Sequence, residues 1–162
     1  DVPIDFNTSN AFFKFGNIRM LCRLIDERFP YYENVIPTSS TIKMTINRTD
    51  FLSSLKRISI YANKTTHQVR LKITGSELQV SAEDLDFSNE ANERLSCEHE
   101  GEDIEIGFNA RFMVEMLSNL DTDQIKLNMS APNKAGVILP VEKDKSEDIL
   151  MLVMPVMLNQ YV

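Results

Sequence analysis

The segment RFPYYENVIP, residues 28–37, constrains the fold most, because two prolines bracket it. Proline fixes φ and has no amide hydrogen to donate, so the segment cannot lie inside a helix or in the middle of a sheet. The residue before each proline, Phe29 and Ile36, is driven toward extended backbone. The sequence therefore predicts a stiff, extended connector whose apolar side chains pack on the bodies that it joins.

The composition is typical of a soluble domain. The chain has 162 residues and 43% hydrophobic content, which is enough to bury a core. No apolar run approaches the ~20 residues of a membrane helix, and the first five residues do not resemble a signal peptide. Cys22 and Cys97 lie far apart with no CxxC spacing, which favours free, reduced thiols over a disulfide or metal site. We therefore expect a cytoplasmic protein with no membrane partner.

The charge is uneven along the chain. The net charge of −7 argues against a simple basic nucleic-acid binder. Residues 47–70 hold five basic residues and one acidic residue, whereas residues 83–105 hold ten acidic residues and one basic residue. One face could be mildly basic and another strongly acidic, or the charges could form a mixed solvated surface. Charge alone leaves both interpretations open.

The first 25 residues predict two or three strands. An aromatic run ends at Gly16-Asn17, which is typical of a hairpin turn. Residues 17–25 then alternate, which places one set of apolar side chains on one face: Ile18, Met20, Cys22 and Leu24. So few strands are too small to fold alone, and their edges should seek a partner.

A strand–helix pattern then occurs twice. Residues 42–46 alternate as a strand and Asn47 can cap a helix, and residues 104–108 and Asn109 repeat this arrangement. The predicted apolar stripe of the first helix is Phe51, Leu55, Ile58 and Ala62, and that of the second is Phe112, Met116 and Leu120.

Three strands are predicted after each helix. They cover residues 69–74, 78–82 and 85–98 in the first half, and residues 124–129, 136–141 and 148–154 in the second half. The chain is therefore predicted to be α+β, with two βαβββ units that form a mostly antiparallel sheet and two helices on one face.

The first helix carries an exposed isoleucine. Lys56, Arg57 and Lys64 fall opposite its apolar stripe, and so does Ile60, with Tyr61 beside the border. Ile60 is either a chance surface residue or a subunit contact.

Catalytic motifs are lacking. His67 and His99 have no metal-ligand spacing, and the sequence contains neither GxSxG nor a P-loop. We therefore predict no catalytic residues, no cofactor and no metal. At the C-terminal end, Pro155 should end a core strand, and the Met and Val residues beyond it should form a soft apolar surface.

Three segments together resemble the bacterial DNA polymerase III β subunit family, the sliding clamps. They are residues 28–37, IEIGFNARFMVEML at residues 104–117 and VMPVML at residues 153–158, in matching order and spacing. The resemblance implies a DNA-clamp fold with three similar domains per protomer. Residues 1–37 would be the last strands of the middle domain plus the connector, and residues 38–162 the complete third domain. Such a C-terminal fragment is expected not to close a ring by itself.

The resemblance also implies a function. Sliding clamps are non-enzymatic processivity factors that close as a homodimeric ring around double-stranded DNA without reading its sequence. The DNA polymerase III catalytic subunit, the clamp loader and repair proteins dock through a short peptide containing Gln, Leu and Phe. The positions that match the DNA-facing lining are Lys56, Arg57, Lys64 and Arg111. Ile60 and Tyr61 match the subunit interface. The positions that match the peptide groove are Pro30, Val35, Asn109, Phe112, Val153, Met154, Pro155, Val156, Met157 and Leu158.

The chain departs from the family pattern in three places. Glu33 and Asn34 stand where basic residues are common, Met157 stands where arginine is common, and residues 159–162 extend the tail. We expect these changes to weaken a DNA contact and alter peptide preference. Two other hypotheses stay open: a small hydrolase with an acidic or Ser/His site, and an interaction domain unrelated to DNA.

Overall fold

The chain divides into two compact units within the proline-bracketed segment. A computed structural model describes residues 2–142 and 147–158. The units are Asp1–Tyr32 and Glu33–Val162, so the division falls five residues before the predicted boundary at residue 37.

The first unit is a three-stranded antiparallel sheet in the order β1-β2-β3. Its strands are β1 (Ile4–Phe6), β2 (Asn10–Phe15) and β3 (Ile18–Arg23). Gly16, with a φ of 59°, makes the predicted turn between β2 and β3. No described residue of this unit is fully buried, which is expected of strands too few to form their own core.

The connector is not extended throughout, contrary to prediction. Tyr32–Val35 forms a turn of 3-10 helix, and the amide of Tyr32 donates to the carbonyl of Pro30 at 2.8 Å. Proline restricts only itself and the residue before it. The residues between Tyr31 and Ile36 are therefore free to close a helical turn.

The second unit contains both helices. Its elements are β4 (Ile42–Asn47), α1 (Arg48–Ile58), β5 (Gln68–Thr74), β6 (Glu77–Asp84), β7 (Asn89–Ser96), β8 (Glu98–Glu100), β9 (Ile104–Asn109), α2 (Ala110–Ser118), β10 (Gln124–Met129), β11 (Gly136–Pro140) and β12 (Met151–Val153). This order contains the two predicted βαβββ units, with β8 as an additional strand. Neither helix is long and apolar enough to cross a membrane, over the part of the chain that the structure describes.

Two predicted strands differ in extent. The strand predicted at residues 85–98 starts only at Asn89, after a turn in which Ser88 has a φ of 51°. Its predicted last residue, Glu98, begins β8, which belongs to the other sheet. The strand predicted at residues 148–154 is limited to Met151–Val153.

The strands of the second unit form two antiparallel sheets, whereas a single sheet was predicted. The five-stranded sheet has the order β12-β11-β10-β4-β8, and the four-stranded sheet has the order β7-β6-β5-β9. The first strand of each βαβββ unit lies in the sheet of the other unit, because β4 pairs with β10 and β9 pairs with β5. The α+β class is confirmed. The exchange of first strands joins the two βαβββ units into one body.

Both sheets and both helices share one core. In α1, the predicted stripe is buried, but the helix ends at Ile58 and a 3-10 turn at Ser59–Tyr61 carries the chain to the buried Ala62. In α2, the buried residues are Ala110, Met113 and Leu117. Of the predicted stripe, Leu120 is buried just beyond the helix and Met116 packs partly buried against the core, whereas Phe112 is exposed and its prediction was wrong. This helix is apolar on adjacent stripes, and periodicity could not choose between them.

Candidate functional site

The N-terminus of α1 is capped as its sequence predicts. Asn47 has extended backbone, and its side-chain oxygen accepts a hydrogen bond from the amide of Asp50 at 3.0 Å. The cap sets where the helix begins and therefore which side chains face the solvent. Lys56 and Arg57 in its last turn are exposed, opposite the buried stripe.

Arg57 does not present a free charge. Its Nε and Nη2 atoms donate to the two carboxylate oxygens of Glu93 on β7, each at 2.7 Å. The hydrogen bond from Arg57 lowers the pKa of Glu93, and the same bond raises the pKa of Arg57. This bidentate pair compensates one of the four positive charges predicted to face DNA.

The other three predicted DNA-facing side chains are exposed. The ammonium of Lys64 donates to the carbonyl of Ile60 at 3.2 Å, after the end of α1. Arg111 lies in the first turn of α2 and, like Lys56, forms no ion pair with any described residue. Lys56 and Arg111 lie on two helices that contact each other, whereas Lys64 lies in the turn after α1.

Most of the basic excess of residues 47–70 is used inside the fold. Arg48 donates to the carbonyls of Thr122 at 2.8 Å and Leu117 at 3.1 Å, which ties the start of α1 to the end of α2. Arg70 forms ion pairs with Glu105 at 2.6 Å and Glu83 at 3.9 Å on the four-stranded sheet. A count along the sequence therefore overstates the basic character of the surface.

The predicted interface residues lie in an exposed apolar region. Ile60 is 65% exposed and Tyr61 is 42% exposed. The turn between β6 and β7 adds two exposed residues that sequence reasoning missed, Leu85 and Phe87. Asn63, which follows the 3-10 turn, donates to the buried Asp84 before them at 3.4 Å. Leu85 and Phe87 both fall within the strand predicted at residues 85–98, so the sequence prediction gave no indication of an exposed turn.

Three of the predicted groove residues are large, apolar and exposed. The exposed fractions are 56% for Phe112, 60% for Met154 and 71% for Met157. Val153 is only 2% exposed and packs in the core, so little of its side chain is available to a peptide.

The remaining groove positions of the second unit also have defined surroundings. Asn109 caps α2 by accepting from the amide of Arg111 at 2.9 Å, and its own amide group donates to the carbonyl of Thr66 at 3.2 Å. Pro155, Val156 and Leu158 are half-buried. The backbone amide of Val156 donates to the carbonyl of Gly107 at 2.8 Å, which holds the segment against the edge of β9.

The connector carries the last two predicted groove residues. Pro30 and Val35 are both exposed, and Val35 is the final residue of the 3-10 turn. The aromatic rings of the connector make local contacts. The guanidinium of Arg28 lies 4.6 Å from the ring centroid of Tyr31, and the rings of Phe29 and Tyr32 meet edge to face at 6.0 Å.

A broad concavity lies on the face of the four-stranded sheet opposite the core. Its lining includes polar side chains of β5, β6 and β7, together with Met157 and Leu158. It differs in character from the predicted apolar groove, since Phe112 and Met154 are not among its described lining residues.

The residues considered for chemistry are scattered. His67 precedes β5 and accepts from the amide of Ala110 through its carbonyl, whereas His99 lies on β8 in the other sheet. Within residues 2–142 and 147–158, no group of three His, Cys, Asp or Glu side chains could hold a metal ion. Cys22 and Cys97 are free thiols, and burial raises the pKa of the Cys97 thiol.

Comparison with known protein families gives a match over most of the second unit. The family model described as "DNA polymerase III beta subunit, C-terminal domain" matches residues 33–156. The chain is 27% identical over 136 residues to a beta sliding clamp of Pseudomonas putida, covering 84% of this chain and 37% of that protein. It is 26% identical over 157 residues to a beta sliding clamp of Staphylococcus epidermidis, covering 96% of this chain and 41% of that protein. The chain thus spans about two fifths of the length of these relatives.

Solved structures of sliding clamps and beta subunits from other bacteria are also similar in fold. A DnaN sliding clamp from Bartonella birtlesii bound to griselimycin is 28% identical with a TM-score of 0.89, covering 97% of this chain and 41% of that chain. The DNA polymerase III beta subunit of Thermotoga maritima is 25% identical with a TM-score of 0.84, covering 98% of this chain and 42% of that chain. The likeness therefore extends over both units.

Proposed function

The chain belongs to the DNA polymerase III beta subunit family, and we propose that it is the C-terminal part of a sliding clamp. The clamp is a non-enzymatic processivity factor that encircles duplex DNA as a homodimeric ring in the cytoplasm. Residues 1–37 belong to its middle domain and connector, and residues 38–162 form its third domain. The observation that carries the proposal is the family match over residues 33–156, which includes both helices and strands β4 to β12 of the second unit.

We propose that the layer formed by α1 and α2 faces DNA. The exposed cations Lys56, Lys64 and Arg111 support this, because a ring that slides needs only a loose positive field against phosphates. Arg57 contributes less to this positive field, since Glu93 neutralises its charge.

The DNA interaction can be tested through its salt dependence. Each cation that no longer meets a phosphate should reduce the slope of log K against log salt concentration by about 0.9. We expect the combined change Lys56→Ala, Lys64→Ala and Arg111→Ala to flatten this slope, measured by fluorescence anisotropy with a short duplex at low ionic strength. Arg57→Ala is the matched control and should change the slope less. An unchanged slope in the triple variant would refute the assignment.

We propose that a clamp-binding peptide docks on an apolar site around Phe112, Met154 and Met157. The DNA polymerase III catalytic subunit, the clamp loader and repair proteins would bear such peptides. The exposure of these three side chains supports the proposal, because methionine adapts its shape to varied apolar partners. Asn109, at the start of α2, adds a polar group beside them.

The peptide site can be tested by nuclear magnetic resonance. We expect a synthetic peptide containing Gln, Leu and Phe to shift the methyl signals of Met154 and Met157 and the ring signals of Phe112. The methyl signal of Met44, which is fully buried, is the internal control. Silence at all three exposed residues throughout the titration would refute the site.

We propose that the exposed region of Ile60 and Tyr61 contacts the other protomer of the ring. Leu85 and Phe87 extend this apolar region, and an exposed patch of this kind is typical of an interface. No specific observation favours the hydrolase hypothesis over this function, and family membership favours a clamp over a domain unrelated to DNA.

A further inference from the structure

The segment Met154–Leu158, which we call the C-terminal segment, runs from one sheet to the other. Val153, just before it, pairs with Gly136 on β11 in the five-stranded sheet. Val156, within it, pairs with Gly107 on β9 at the edge of the four-stranded sheet. A single described backbone hydrogen bond, from the amide of Val156 to the carbonyl of Gly107 at 2.8 Å, holds the segment to β9.

Gly107 leaves no room for a side chain. A Cβ atom at this position would lie 2.5 Å from the carbonyl oxygen of Val156 and 2.8 Å from Cδ2 of Leu158. Ordinary carbon contacts are about 3.5–4.0 Å. The side chain of Leu158 could rotate away, but the Val156 carbonyl is backbone, so the C-terminal segment itself would have to move by about 1 Å.

The backbone conformation of Gly107 does not explain the glycine. Positive φ values occur at Gly16, Gly75 and Gly101, and Gly107 is not among them. It lies in a strand between the buried residues Ile106 and Phe108, where a β-branched or aromatic residue would be favoured. Glycine within a strand often marks the close approach of another backbone, and here that backbone is the C-terminal segment.

This close approach sets the position of the proposed peptide site. Met154 and Met157 are mostly exposed, so their own packing does little to fix them. Their backbone is held instead by Val153 on one side and by the Val156–Gly107 pair on the other. Phe112 is in the first turn of α2, which starts three residues after Gly107.

We propose that Gly107 is a positioning residue for peptide docking: its missing side chain lets the C-terminal segment lie against β9 and holds Met154 and Met157 beside the start of α2. The inference rests on the proposed peptide site. It also makes a claim about the unliganded chain, namely that residue 107 determines the path of residues 154–158.

The test is Gly107→Ala in the whole chain, with two separate measurements. Amide hydrogen exchange of Val156, without peptide, reports the path of the segment, and we expect protection to fall at least about tenfold. Fluorescence anisotropy with a labelled peptide containing Gln, Leu and Phe reports docking. We expect the equilibrium dissociation constant of this peptide to rise about tenfold. Gly75→Ala is the matched control: its positive φ of 57° strains any side chain, but nothing lies within 4 Å of its added Cβ. It should leave Val156 protected and the peptide bound.

The two measurements separate the inference from the proposed function. Unchanged Val156 protection in Gly107→Ala would overturn the inference, and so would reduced protection with unchanged peptide affinity. If the unaltered chain does not bind the peptide, the proposed function fails, and the exchange result alone decides whether Gly107 sets the segment's path. Should Gly107→Ala not fold, Val156→Pro removes the same hydrogen bond from the other side. Peptide affinity that survives Val156→Pro would count against the inference.

Discussion

The two βαβββ units have the same architecture and different surfaces. In each unit, a strand leads through an asparagine cap into a helix, and Asn47 and Asn109 accept hydrogen bonds from the amides of Asp50 and Arg111. The exposed side of α1 ends in charged side chains, and Ile60 is exposed in the 3-10 turn that follows. The exposed side of α2 begins with Arg111 and Phe112. The difference indicates that a repeated backbone can carry separate binding surfaces.

The exchange of first strands explains how this is possible. Because β4 pairs with β10 and β9 pairs with β5, neither unit has a sheet of its own. Both helices therefore pack on one shared core, and the stability of each unit depends on the other. The solvent-facing positions can then diverge with little effect on folding.

The largest expected effect comes from breaking the shared core. Phe51 on α1 and Phe108 on β9 are both fully buried. We expect Phe51→Ala and Phe108→Ala each to lower the free energy of unfolding by about 3–5 kcal/mol, through reduced burial and the cavity left behind. Urea unfolding followed by circular dichroism measures this loss.

Phe112→Ala is the matched control for the core variants. Its ring is 56% exposed, so the same chemical change should cost less than about 1 kcal/mol. Hydrogen exchange should also show that each core variant weakens protection in both βαβββ units. Protection weakened in one unit alone would mean that the units fold independently, despite the strand exchange.

The caps should have an intermediate and unequal effect. We expect Asn47→Ala to cost about 1 kcal/mol of unfolding free energy, since it leaves the amide of Asp50 without its partner. Asn109→Ala should cost more, because Asn109 also donates to the carbonyl of Thr66 and so ties α2 to the segment before β5. Thermal unfolding at fixed pH compares them. Equal losses would show that the bond to Thr66 adds nothing.

The smallest effect should come from the ion pair between α1 and β7. The hydrogen bond from Arg57 lowers the pKa of Glu93 below its ordinary value of 4.5. The stabilisation that the ionised Glu93 provides is therefore complete above pH 4.5, and it is lost as the pH falls through the pKa of Glu93 in the folded state. The Arg57 side chain is 59% exposed and that of Glu93 27% exposed, so solvent weakens the pair and we expect Glu93→Gln to destabilise less than either cap change.

The pH dependence provides the check on this pair. The unfolding midpoints of the original chain and of Glu93→Gln should differ at neutral pH and converge in acid. Glu90→Gln is a suitable control, since Glu90 is exposed on the same strand and forms no ion pair with a described residue. A difference between the unfolding midpoints that grows as the pH falls would contradict a stabilising pair between Glu93 and Arg57.

The local features of the fold were predictable from particular residues. Asn47 and Asn109 predicted both helix starts, and Gly16 predicted the hairpin between β2 and β3, because caps and tight turns depend on a few neighbouring residues. The extended connector was predicted wrongly at Tyr32–Val35, since proline restricts too few positions to determine the whole segment. Phe112 in the predicted stripe of α2 was also predicted wrongly, because apolar residues cover adjacent faces of that helix.

The candidate sites were predictable only in part. The exposure of Lys56 and Ile60 followed from helical periodicity, since both lie opposite the stripe of Phe51. The ion pair of Arg57 could not be predicted in this way, because its partner Glu93 is 36 residues away and the two side chains meet only when β7 packs against α1. The exposure of Leu85 and Phe87 was missed because residues 85–98 were predicted as one strand, whereas the structure has a turn before Asn89.

The sequence by itself determined the family, the α+β class and the two strand–helix units, because these depend on local spacing and on motifs of a few residues. The tertiary structure decided which strands pair, which cations stay free and why Gly107 must be glycine. Each of these depends on groups that are distant in sequence and that only folding brings together, as Gly107 and Val156 are. Local patterns constrain each segment, and the packing of segments determines which surfaces are left to bind a partner.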